Sequence, residues 1–155
     1  MPPSQRRARD SDERPGLPAV NPVWPLLATM LGGVWMGSTW FALNAIALGG
    51  ERKVRQFVAI GVGLAGAFGL ALFFGVLVFR ETISKESLEY GLILVTGWKL
   101  AIAYLLFQWQ RREFQLYEYY VGPTRNGLYV ALAGLFLRGI VIGAIPEGIL
   151  QVVLS

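Results

Sequence analysis

Four long apolar stretches alternate with short polar ones along the chain, over residues 23–48, 54–79, 88–110 and 126–145, behind a polar, charged leader over 1–21. About 20 mostly apolar residues, rising 1.5 Å each, cross the hydrocarbon of a bilayer, and every stretch reaches that length. The pattern predicts an all-α fold, an integral membrane antiparallel four-helix bundle over 22–155. Low hydrophobicity with mixed charge predicts that the tail over 1–21 is disordered.

Local signals mark the ends of these elements. Pro25 falls in the first turn of the first stretch, where its missing N–H costs nothing. Thr29, Gly33, Gly37, Trp40 and Asn44 recur at steps of three and four, so they share one small and polar stripe, and Gly33-x-x-x-Gly37 has the spacing of a helix contact motif. Gly49 and Gly50, with Arg52 and Lys53 after them, read as a C-cap and a basic turn. The second stretch carries small residues at Ala59, Gly61, Gly63, Ala65, Gly66, Ala67, Gly69, Ala71 and Gly75, which predicts the central helix of the bundle. Gly122-Pro123 breaks the third helix, Asn126 serves as N-cap of the fourth, and Pro146 ends or kinks it. A second small-residue pair, Gly139 and Gly143, lies within that fourth stretch. Packing inside the bundle and contact with a second copy are both open to these glycines.

Two cations interrupt the apolar pattern. Lys99 lies ten residues beyond Glu89, roughly 15 Å into the third span, and Arg138 lies about 16 Å into the fourth, so the two are expected at one depth near the midplane. An Arg or Lys at that depth costs about 2.5–3.5 kcal/mol on insertion scales, so each should face the protein interior or an aqueous cavity, or else snorkel to a headgroup layer. Glu147 is nine residues beyond Arg138, half a turn out of phase on a straight helix, and cannot pair with it unless Pro146 folds the chain back. Neutral acceptors, an acid from another chain or an anionic ligand are the remaining partners. Trp35, at mid-depth on the first span, could offer a cation–π face. Further along the third stretch, Trp109, Arg111, Arg112, Tyr117, Tyr119 and Tyr120 describe an aromatic and basic belt expected at the headgroup level.

Composition narrows the chemistry. The chain has 54% hydrophobic and 15% charged residues, against about 25% charged in ordinary soluble domains. Its mean hydropathy is +0.49. Cys and His are both absent, which removes disulfides, thiol nucleophiles, the usual zinc ligand sets, His or Cys haem ligation and His-based proton relays. No cofactor or metal site is expected. The net charge of +4 and pI near 9.7 arise in tails and loops, which suits anionic lipid headgroups better than nucleic acid.

Orientation does not follow from charge on a four-span reading. The tail and second loop carry six Lys and Arg, and the first and third loops carry six. Placing the four-arginine tail and the C-terminus in the cytoplasm is the favoured choice, with both termini on one side because the span count is even. A twin-arginine or Sec signal, with Arg6-Arg7 ahead of an apolar run and Ala45-Ile46-Ala47 as cleavage site, is the alternative reading of the N-terminus. Against it, acids interrupt the basic region and the apolar run is too long.

Gly32 to Lys53, GGVWMGSTWFALNAIALGGERK, resembles short bacterial inner-membrane proteins in which a Gly-rich first span is followed by a Leu-Asn pair, Leu-Gly and basic residues. The resemblance implies a multi-pass protein of the bacterial cytoplasmic membrane and no activity.

Three functional classes fit. The leading one is a non-enzymatic membrane subunit or scaffold that assembles with itself or a partner membrane protein through small-residue helix faces. The alternative is a small oligomeric channel, anion-binding transporter or membrane-perturbing effector with Lys99 and Arg138 as an intramembrane anion site. A lipid-acting enzyme using Lys99, Glu147 or Glu89 as acid–base groups comes third, since no acid pair or nucleophile is clustered.

Overall fold

Gly33 sets the architecture. In the structure of the chain, a computed structural model that describes residues 19–50, 52–82, 84–121, 126–145 and 148–154, it stands at φ 99° and ψ 170°, a region of backbone space essentially reserved for glycine. The stretch expected as one helix over 23–48 is thereby divided into α1 (Val23–Gly32) and α2 (Val34–Leu48). On a continuous helix Thr29 and Gly37 would lie about 12 Å apart along the axis. Here a methyl group at Gly37 would collide with the side chain and backbone of Thr29. At the far end the Val20 N–H donates to Asn44 Oδ1 at 2.9 Å. The two helices therefore run back along one another as a tight hairpin, with its tip at Gly33 and both ends on one side. The Gly33-x-x-x-Gly37 spacing is consequently no face of a single helix: Gly33 is the turn, and Gly37 is the floor on which Thr29 rests.

Asn21 opens α1 by accepting the Val23 N–H on its side chain at 3.0 Å. Gly49 closes α2 in the left-handed conformation, φ 62°, its N–H donating to the Ile46 carbonyl. Residues at the end of the expected tail are part of the fold, since Ala19 is buried. The remainder of the tail, 1–18, lies outside the described residues.

Two longer helices follow, α3 (Lys53–Phe79) and α4 (Lys85–Val121), about 40 and 55 Å long. They form the most extensively packed pair of the fold. Their antiparallel register brings Gly63 to Ile102, Gly66 to Trp98 and Gly91 to Phe74. One stripe of α3 is buried, Gln56, Ala59, Gly63, Ala67 and Ala71. Gly61, Gly69 and Gly75 meet nothing within 4 Å, so α3 is packed along one side and is not the centre of a bundle. Among the described residues the other apolar helices are shorter, and these two are long and apolar enough, by length and composition, to cross a membrane. Just 17% and 22% of their most apolar windows is buried, whereas a core helix of a soluble protein would hide most of that surface.

Helix α5 (Leu128–Ala144) starts with the Leu128 N–H donating to Asn126 Oδ1 at 3.0 Å and gives way to extended backbone at Ile145. It lies along α1 from the base of the hairpin to its tip: Gly127 sits against Trp24 and Trp40, Ala131 joins Ala28, Met36 and Trp40, and Gly134 faces Met36. A final short helix, α6 (Ile149–Leu154), had no counterpart in the expected pattern. Gly148 and Val152 lie beside Phe74, Gly91 and Val95, and Val153 is buried with Ala67, Ala71 and Val95. Helix α6 thus runs back from the Arg80 end of the α3–α4 pair towards its middle. Among the described residues the fold is all-helical, with six helices and no strand.

Candidate functional site

The middle of the molecule is where the broken elements meet. The tip of the α1–α2 hairpin arrives from the Lys53 end and α6 arrives from the Arg80 end. Helix α1 stops in mid-fold at Gly33, and the carbonyls of its last turn lack helical partners. Arg138, on α5, donates from Nη1 to the Leu31 carbonyl at 3.1 Å. Lys99, on α4, donates from Nζ to the Val152 carbonyl at 3.0 Å. Both acceptors lie within the last turn of their helices, where the macrodipole is negative, so each cation neutralises the end of a half-helix.

The two cations also face one another across a cavity of about 260 Å³. Thr29 and Thr96 contribute hydroxyls to its wall, and Met30, Val34 and Leu100 contribute apolar surface. Both hydroxyls are committed, Thr29 to the Pro25 carbonyl and Thr96 to that of Leu92, each at 2.9 Å. The donors left for a guest are therefore those of the cations. An ammonium has three N–H groups and a guanidinium five, and one of each is engaged. No described carboxylate lines the cavity. Val34 adds the start of α2, whose first N–H groups have no intrahelical acceptor. Lys99 reaches a second, tighter void of about 30 Å³ beside Phe41 and Leu106.

The other sites expected from sequence fall elsewhere. Trp35 is not at the cations. It packs against the Ala28–Met36–Trp40–Ala131 cluster, lines a separate 540 Å³ cavity with Tyr129 and Val130, and buries its Nε1 without a partner. Its residue number matches the depth of the cations, but α2 turns that face towards α5 and away from α4. Among the described residues the cation–π contact is Arg55 over Trp109, 4.3 Å from the ring centre. Gly139 and Gly143 meet nothing within 4 Å and lie open on α5. Arg111, Arg112, Tyr119 and Tyr120 are exposed on the continuation of α4, and Tyr117 is partly covered. Glu147 lies outside the described residues. No cluster of metal-ligating side chains occurs among the described residues.

One constellation carried little sequence signal. Asn44, Gln56 and Gln110 are at most 2% exposed and form a continuous chain at the Lys53 end. Asn44 Nδ2 donates to Gln110 Oε1 at 2.9 Å, Gln110 Nε2 donates to the Phe41 carbonyl and to Gln56 Oε1, both at 2.8 Å, and Gln56 Nε2 donates to Glu113 at 2.7 Å. With Val20 on Asn44, this chain ties the N-terminal segment, α2, α3 and α4 together. Asn44 was visible in a polar stripe, while Gln56 and Gln110 sit at helix ends, where polar residues are ordinary. Compared with protein families, curated proteins and solved structures, the chain matches none.

Proposed function

We propose that the protein is a multi-pass protein of the bacterial cytoplasmic membrane that binds an anionic group at mid-depth, in the manner of a small transporter or channel subunit. On this reading α3, α4 and, at the 17-residue lower limit of a span, α5 cross the bilayer, while the α1–α2 hairpin and α6 re-enter from opposite faces. Non-helical backbone at membrane depth is tolerated where it is buried in protein or lines a cavity, and discontinuous helices meeting at the midplane are how many transporters build their sites. The single observation that carries the proposal is the shared cavity of Lys99 and Arg138, to which the described residues bring no carboxylate.

Charge also supports an orientation. Among the described residues Arg52, Lys53 and Arg55, with Arg111 and Arg112 on the later part of α4, lie at the Lys53 end, and Arg80 and Lys85 lie at the other. Five cations against two favour a cytoplasmic Lys53 end. The aromatic and basic end of α4 would then meet anionic lipid at the cytoplasmic leaflet.

Efflux of a trapped anion, phosphate or a halide, from liposomes holding the purified protein tests the proposal. Faster efflux than from protein-free liposomes, lost in Lys99→Met and Arg138→Met, is the expected result; equal retention with and without protein would remove it. The open face of α5 at Gly139 and Gly143 supports a second reading, a non-enzymatic subunit that packs with its own copy or a partner membrane protein through that face.

A further inference from the structure

We infer that the guest of the Lys99–Arg138 cavity is an anionic amphiphile, a phosphate or carboxylate group on an alkyl chain, which enters sideways between α4 and α5. The inference rests on the reading of the cavity as an anion site and adds what kind of anion reaches it and by which route.

Helix α5 is held by α1, and α4 by α3, α2 and α1, while α4 and α5 do not pack extensively on one another among the described residues. The cavity occupies that gap, with Lys99, Thr96 and Leu100 on one wall and Arg138 on the other. Lys99 and Arg138 bring its donors. A phosphate or carboxylate can accept from a guanidinium and an ammonium at once, through charge-assisted hydrogen bonds.

Its apolar lining is Met30, Val34 and Leu100. Ile93, Thr96, Leu100 and Tyr104 follow one another at steps of three and four and so share one face of α4. Of these, Ile93 is 67% and Tyr104 54% exposed, and the Thr96 hydroxyl donates to the Leu92 carbonyl of its own helix. Met30, at the hairpin tip, is also largely exposed. In a bilayer such a mouth opens on acyl chains, and an amphiphile arrives there with its chain already in the hydrocarbon. The head then meets the cations and the chain lies along Ile93 and Leu100.

Calorimetric titration of the full-length protein in dodecyl maltoside micelles tests this, with dodecyl phosphate, inorganic phosphate and dodecyltrimethylammonium as probes. Dodecyl phosphate should bind saturably, about tenfold or more tighter than inorganic phosphate, and dodecyltrimethylammonium should not saturate. Arg138→Met and Lys99→Met, each checked for an unchanged elution volume, should weaken dodecyl phosphate about tenfold. Leu100→Trp, which fills the mouth and keeps both cations, should weaken it as much. If inorganic phosphate binds as tightly as dodecyl phosphate and both need the cations, the anion site stands and the amphiphile is overturned. Unchanged dodecyl phosphate binding in Leu100→Trp overturns the sideways route. Binding of both anions that ignores Lys99 and Arg138 overturns the anion site and this inference with it.

Discussion

The α1–α2 and α3–α4 pairs are both antiparallel helical hairpins, and each begins in an apolar run of similar length, yet the arms of the second are more than twice as long. The first pair has arms of 10 and 15 residues, about 15 and 22 Å, too short for a core of roughly 30 Å. The second has arms of 27 and 37 residues. Glycine content does not separate them, because α3 stays helical through Gly61, Gly63, Gly66, Gly69 and Gly75. What separates them is what waits at the break. Gly33 can turn because Arg138 takes the Leu31 carbonyl, Gly37 makes room for Thr29, and Asn44 holds Val20 at the base. A glycine permits a break in an apolar run; partners distant in sequence decide whether it happens.

The strongest way to break this comparison is Gly33→Val. A β-branched residue at φ 99° and ψ 170° is strained by about 3 kcal/mol, enough either to unfold the hairpin or to straighten 23–48 into a crossing helix. Cysteines replacing Ser4, Ser84 and Asn126 report the difference through labelling from each face of sealed vesicles. In the parent, Ser4 and Asn126 should label from one face and Ser84 from the other. Gly33→Val should lower the unfolding midpoint and move part of the Ser4 label to the opposite face. A parent in which Ser4 and Ser84 label together would restore four crossings and remove the re-entrant hairpin.

Much of the fold was legible in local chemistry. Gly49 at the end of α2, Asn126 ahead of α5, and the apolar lengths of α3 and α4 are signals that a chain carries within one or two turns. The hairpin was not, since Gly33 and Gly37 have the same spacing whether they line one helix face or form a turn and its floor. Helix α6 was hidden because six residues are too few for a periodic pattern. Counting residues from the helix ends put Lys99 and Arg138 at one depth, and they do line one cavity. Their acceptors could not be read, because every residue carries a backbone carbonyl and nothing local marks those of Leu31 and Val152.

Gln110→Leu sharpens the comparison at the base of both hairpins. The substitution strands Asn44 Nδ2, the Phe41 carbonyl and Gln56 Oε1, all bonded to Gln110 in the buried amide chain. With about 1–3 kcal/mol at stake for a buried polar group left unpaired, a loss of about 2 kcal/mol or more is expected in denaturant titration of the detergent-solubilised protein. A change below about 0.5 kcal/mol, the range of ordinary surface substitutions, would mean that the chain of amides does not join the hairpins.

Arg138→Met should act more on the tip than on global stability. It leaves the Leu31 carbonyl unpaired, a cost of about 1–3 kcal/mol, but removes a cation whose burial at mid-depth costs about 2.5–3.5 kcal/mol on insertion scales. The two nearly cancel, so the midpoint should move by no more than about 1 kcal/mol. Hydrogen exchange should nonetheless accelerate in the first turn of α2, where Val34 and its neighbours depend on the tip staying docked, while exchange in α3 stays at its parent rate. Equal exchange at the tip in parent and variant would show that Arg138 does not hold it.

The smallest effect on the fold is expected at Gly139 and Gly143. Among the described residues neither has an atom within 4 Å of where a Cβ would stand, so alone the replacement of both by Ile should stay within about 0.5 kcal/mol. Gly37→Ile is the matched control, because there the new side chain drives into Thr29 and should destabilise by about 1–3 kcal/mol or more. Small residues in membrane helices serve packing within a chain or between chains, and the two pairs divide along that line. If α5 meets a second copy, the double Ile variant should keep its melting midpoint and lose the oligomer on sizing in mild detergent. If its size is unchanged as well, the open glycines of α5 face lipid, and assembly through that helix is excluded.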